Sequence, residues 1–164
     1  MNKPNSHLAA QLHLNQEPDS INKLWLGILV AANALKQGSD QLFRTHQVSA
    51  VQYNVLRILH GAGDDGLTCG EIGDRVIDRD PDITRLLDRL EKNQLIERWR
   101  TPEDRRSVRA KLSPKGRKLV KTISQPLRAL QESLLAPLPA ATRKRLGSDL
   151  DTLIGAVTNR ATAQ

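Results

Sequence analysis

From Ile21 onward, apolar side chains return every three or four residues, at Ile21, Trp25, Ile28, Ala32 and Leu35. That is the period of a helix with one buried face, and it predicts a long helix reaching about Phe43. Ahead of it, residues 1–18 are polar and include Pro4 and Pro18, which reads as a mobile arm. Ser49 with Gln52, and Thr68 with Glu71, have the spacing of capping boxes, in which two side chains satisfy each other's backbone N–H. The first box opens a helix with Val51, Val55, Leu56, Ile58 and Leu59 inward, closed by the glycine-rich turn Gly61–Gly66. The second opens a short helix with Ile72 and Val76 on its apolar side. A third start is predicted at Asp80 and Pro81, an N-cap residue ahead of a proline in the first helical position.

That third helix places Ile83, Leu86, Leu87 and Leu90 on one stripe, with Thr84, Arg85, Asp88, Arg89 and Lys92 opposite. After Asn93 the period drops to two. Val108, Ala110 and Leu112 alternate with Ser107, Arg109 and Lys111, as in a half-buried strand, and Leu95–Arg100 is the less regular partner. Between the strands, Thr101–Arg106 forms a charged hairpin loop. Ser113 and Pro114 start another helix, whose stripe Leu119, Ile123, Leu127, Leu130 and Leu134 contains Pro126, which should kink or break it. Pro137 and Pro139 end it, and a last helix carries Leu146, Leu150, Leu153 and Val157. The order predicts a mainly α fold, a winged helix-turn-helix of six helices plus a two- or three-stranded β-wing. The expected division is an arm at 1–18, a dimerisation helix at 19–47, a DNA-binding domain at 48–112 and C-terminal dimerisation helices at 113–164.

Composition sharpens this picture. Hydrophobic residues make up 38% of the chain, yet two tryptophans, one tyrosine and one phenylalanine are its only aromatics, which suits packed helices better than a sandwich of sheets. The net charge of +7 and a pI near 10.0 point to a polyanionic partner. Residues 95–118 hold nine Lys/Arg against three Asp/Glu, a net of +6, so almost all the excess sits in and around the hairpin. A single cysteine excludes an internal disulfide framework and fits a reducing cytosol. The N-terminus lacks the basic and apolar regions of a signal peptide, and Leu24–Leu35, with Gly27 and Asn33 in it, is too short to span a bilayer. A cytoplasmic protein is expected.

Several patterns that resemble catalytic or ligand sites fail on context. Gly61, Gly63 and Gly66 match the dinucleotide fingerprint, but they follow a helix, and Asp64 and Asp65 would repel a pyrophosphate. Asp78, Asp80 and Asp82 open like a calcium loop, but Ile83 stands where glycine is required and Arg89 where the bidentate glutamate is. His7, His13, His46 and His60 form no helical pair that could start a metal site, and no nucleophile and base share a recognisable spacing. Neither an enzyme nor a cofactor is expected.

A helix presenting Thr84, Arg85, Arg89 and Lys92 can lie in the major groove, where arginine pairs with guanine and threonine meets a thymine methyl or a phosphate. The same residues also describe an ordinary solvated face held by ion pairs one turn apart. The hairpin favours the first reading. Arg98, Arg100, Arg105 and Arg106 repel one another unless phosphates or a narrow minor groove neutralise them, and Asp104 can orient an arginine among them.

The run from Asp104 through Arg106, Leu112 and Ser113 to Gly116 resembles the MarR-family signature, D-x-R, a hydrophobic strand, then L-T/S-x-x-G. Residues 83–91 resemble that family's recognition helix. The likeness in element order covers residues 20–160 and is specific over about 68–116. It implies a homodimer on a pseudo-palindromic operator of double-stranded DNA, often released by small phenolic or lipophilic anions, and by extension a repressor. By position Arg106 matches the arginine that enters the minor groove and Asp104 its brace; a ligand pocket would lie near the first helix, at Trp25. Where the family carries glycine after its recognition helix, this chain has Asn93 and Gln94, with Asn93 expected to take the left-handed turn. Cys69, at a helix N-terminus, reads as a small packed residue or as a redox switch. Two other functions fit as well: a non-sequence-specific architectural nucleic-acid binder, and a thiol-based redox regulator acting through Cys69.

Overall fold

The computed structural model describes residues 6–77, 82–100 and 107–161. It divides into one unit ending at Leu127 and a second beginning at Arg128. In chain order its elements are α1 (His7–Gln11), α2 (Ser20–Thr45), α3 (Ala50–Ala62), β1 (Leu67–Thr68), α4 (Cys69–Gly73), α5 (Ile83–Lys92), β2 (Ile96–Arg100), β3 (Val108–Leu112), α6 (Pro114–Leu135) and α7 (Ala140–Ala161).

Short polar residues start most of these helices. Asp19 accepts N–H bonds from Ile21 and Asn22 at the head of α2. Ser49 with Gln52, and Thr68 with Glu71, form both bonds of their capping boxes. Two starts differ from the sequence pattern. The segment read as an arm contains α1, capped by Ser6 with Ala9 fully buried. Helix α5 is capped by Asp82, whose Oδ1 accepts the Arg85 N–H at 3.0 Å, while Asp80 and Pro81 lie outside the described residues.

The helix ends are equally specific. At the end of α5 the residue with positive φ is Gln94 (+60°), and Asn93 stays at −82°. The reason is the hydrogen bonding: Leu95 N–H reaches Leu90 C=O and Gln94 N–H reaches Glu91 C=O, the paired bonds of a Schellman motif, which puts its left-handed residue one position later. Helix α2 closes the same way, with Gln47 at +57° and Val48 N–H on Phe43 C=O.

The first unit's core gathers the predicted stripes. Val55, Leu56 and Leu59 of α3, Ile72 of α4, Leu86, Leu87 and Leu90 of α5, Ala110 and Leu112 of β3, and Val120 and Ile123 of α6 are buried in one cluster. Tyr53, which the stripe left out, joins it by packing its ring 5.1 Å from Phe43. The sheet is antiparallel in the order β1-β3-β2, with Ile96 opposite Leu112, Arg100 opposite Val108, and Leu67 opposite Ala110. Its third strand, β1, is only two residues long. Two glycines allow the close packing. A Cβ on Gly66 would overlap the Ala110 carbonyl, and one on Gly116 would overlap the Leu95 carbonyl. Helix α6 runs unbroken through Pro126. No described helix is long and apolar enough to cross a membrane.

Candidate nucleic-acid interface

Helix α5 is amphipathic in the sense a groove-reading helix requires. Leu86, Leu87 and Leu90 anchor it in the core, while Thr84, Arg85, Asp88, Arg89 and Lys92 are exposed. Arg85 pairs with Asp82 at 3.0 Å across one turn and remains well exposed. Arg89 has no ion pair among the described residues and faces solvent.

The basic stretch around the hairpin is less uniform than its composition. Arg98 of β2 turns back onto α5, its Nε donating to Glu91 Oε2 at 2.8 Å and its Nη2 lying 2.8 Å from Asp88 Oδ1. The Glu91 bond holds the guanidinium above its ordinary pKa, with Asp88 adding to the shift against partial burial. Arg109 donates to the carbonyls of Asp65 and Gly66, at 3.0 and 2.9 Å, and so pins the turn ahead of β1. Lys111 lies 5.4 Å from the Trp99 ring centroid and 3.8 Å from Glu97 across the strands. Arg117 binds Asp64 at 2.6 Å, which holds that carboxyl below its ordinary range. Lys115 caps the end of α5 by donating to Asn93 C=O at 2.9 Å. Of the predicted contacts in the hairpin, Arg100 at the end of β2 is exposed and has no ion pair among the described residues. Asp104, Arg105 and Arg106 lie outside the described residues.

Lys92, at the far end of α5, is exposed and is one of the residues lining a cavity of about 470 Å³, with His46, Lys115, Lys118 and Leu119. Trp25 does not line that cavity and stands 66% exposed on α2. Cys69 is half-buried against the core at the start of α4. Sequence reasoning missed the pairing of Arg98, although two acids, seven and ten residues before it, were the available signal.

The MarR family model matches residues 48–108, from the cap of α3 into β3. The uncharacterized HTH-type transcriptional regulator YsmB of Bacillus subtilis (strain 168) is 32% identical over 92 residues, which is 56% of this chain and 62% of that relative, less than two thirds of its length. A MarR transcription factor from Planctomyces limnophilus is 32% identical in structural alignment, covering 87% of this chain and 98% of that one with a TM-score of 0.64. A mutant MarR from E. coli complexed with operator DNA is 25% identical, covering 83% of this chain and 99% of that one at a TM-score of 0.71.

Proposed function

This chain belongs to the MarR family, and from that premise we propose that it is a sequence-specific DNA-binding regulator of transcription, a repressor that acts as a homodimer on a pseudo-palindromic operator and is released by a small-molecule effector. The observation that carries the reading is the division of α5. Its apolar stripe is locked into the core while Thr84, Arg85 and Arg89 are exposed on the other side, Arg85 beside Asp82. In this reading those three residues meet base edges in the major groove. Arg100, Arg105 and Arg106 neutralise phosphates or enter the minor groove, with Asp104 as brace. In the same reading Lys92 and Arg98 take no part in reading bases: Lys92 stands in the last turn of α5, lining the cavity there, and Arg98 is held by Asp88 and Glu91. Cys69 is a packing residue.

The test compares single substitutions on an operator found by footprinting the gene's own promoter. Arg106→Ala is expected to weaken binding by roughly 1–3 kcal/mol, most on sites with A/T-rich flanks, and to lower the salt dependence by about one unit of slope. Arg89→Ala should relax sequence preference at the centre of each half-site instead. Lys118→Ala, an exposed lysine away from the hairpin, is the control. Equal small losses for all three, on operator and random DNA alike, would establish a non-specific architectural binder.

A further inference from the structure

Arg98 bridges strand β2 and helix α5. Its strand, β2, leads into the hairpin, and its guanidinium reaches two carboxylates one turn apart on α5, Glu91 through Nε and Asp88 through Nη2. The side chain is only 24% exposed, against 54% for Asp88 and 40% for Glu91, so the fork lies under the two acids. A guanidinium suits this task because its planar donors fix direction as well as charge, which an ammonium on a flexible stem does not. The helix and the strand are also joined by the turn at Asn93–Leu95, closed by backbone hydrogen bonds, and by Leu90 and Ile96, which share the buried core.

From this geometry we infer that Arg98 is a positioning residue. It ties α5 to strand β2, and through the strand pairing to β3, so that base contacts from the helix and the contacts proposed for the hairpin form together. It also keeps Asp88, which sits among the exposed residues of α5, turned away from the DNA phosphates. The inference rests on the DNA-binding reading above, but part of it concerns the free protein.

Two variants with opposite charge test it. Arg98→Gln removes the fork and a positive charge; Asp88→Asn with Glu91→Gln removes the fork and leaves Arg98 in place. In the free protein, both are expected to speed hydrogen exchange at the amides of β2 and at the end of α5 at least tenfold, while α3 is unchanged. On DNA, both should lower the preference for operator over random sequence about tenfold without changing the salt slope, since no phosphate contact is lost. Arg98→Lys, which keeps the charge and loses the fork, should retain most of the defect. A phosphate contact predicts otherwise: Arg98→Gln would weaken operator and random DNA equally and lower the slope by about one unit, and Arg98→Lys would restore both. That pattern, or exchange unchanged in both fork-less variants, would overturn the inference. Wild-type protein with no operator preference would sink the regulatory reading, while the exchange comparison would still decide whether Arg98 couples the two elements.

Discussion

Glu71 shows how one carboxylate ties the start of the helix-turn-helix to pH. Its Oε2 accepts the Thr68 N–H at 2.8 Å, and that bond, with the Thr68 hydroxyl and the charges of Arg109 and Arg75, holds its pKa below the ordinary 4.5. A carboxyl that is more acidic in the folded chain than in the unfolded one contributes stability above its ordinary value. That contribution is lost as pH falls through the depressed folded value. Asp19 and Asp64 are lowered in the same direction, so all three act together on the acid limb. The urea midpoint is therefore expected to hold steady above about pH 5 and to fall below 4.5. In Glu71→Gln the amide oxygen still accepts the N–H and the box survives, so the fall should be shallower. An unchanged acid limb in that variant would show that Glu71 contributes nothing to it.

The element with the largest internal conflict is α6. Pro126 brings no N–H to the carbonyl of Thr122, and a proline in a helix interior costs roughly 3 kcal/mol relative to alanine, yet the helix continues on both sides. Thr122 and Ser124 turn their hydroxyls back onto the carbonyls of Lys118 and Val120, the local bonding that bends helices. Ile123 remains fully buried, so the helix up to the proline is anchored by the core of the first unit. Pro126→Ala should restore the missing bond and raise the melting temperature. A lower melting temperature would mean that the proline itself is needed at this position.

At the scale of the whole molecule, the described residues leave many large apolar side chains exposed. On α2, Ile21 is 79% and Trp25 66% exposed, with Leu24 and Leu29 beside them, and on α7 Ile154 and Val157 are similarly bare. Stripes of this kind mark an interface, and the proposed two-fold dimer would cover each with a copy of the same chain. Sedimentation at micromolar concentration should therefore find a dimer, and the melting temperature should rise with protein concentration. In a Trp99→Phe background, the remaining emission from Trp25 should shift to the red on dilution as the interface opens. A monomer at micromolar concentration that still binds its operator tightly would end this account.

What the sequence by itself determined is much of what depends on neighbours a few positions away. The helical stripes, the alternation of β3 and the two capping boxes are such features. Each follows from a period or from a side chain reaching a backbone group three residues on, and no distant partner is consulted. The order of helices around a basic hairpin, and with it the fold, was legible for that reason. Only the tertiary structure decided which cations are free. Nine basic residues between 95 and 118 look alike in composition, but Arg98, Arg109 and Arg117 are taken up by Asp88 and Glu91, the Asp65 and Gly66 carbonyls, and Asp64. Arg109 and Arg117 reach partners more than forty residues back, and Arg98 reaches across a turn whose shape no periodicity reveals. The third strand β1 and the requirement for glycine at 66 and 116 belong to the same class. An ion pair or a close backbone approach exists only once two surfaces have met, whereas a hydrophobic period is written into the chain before it folds.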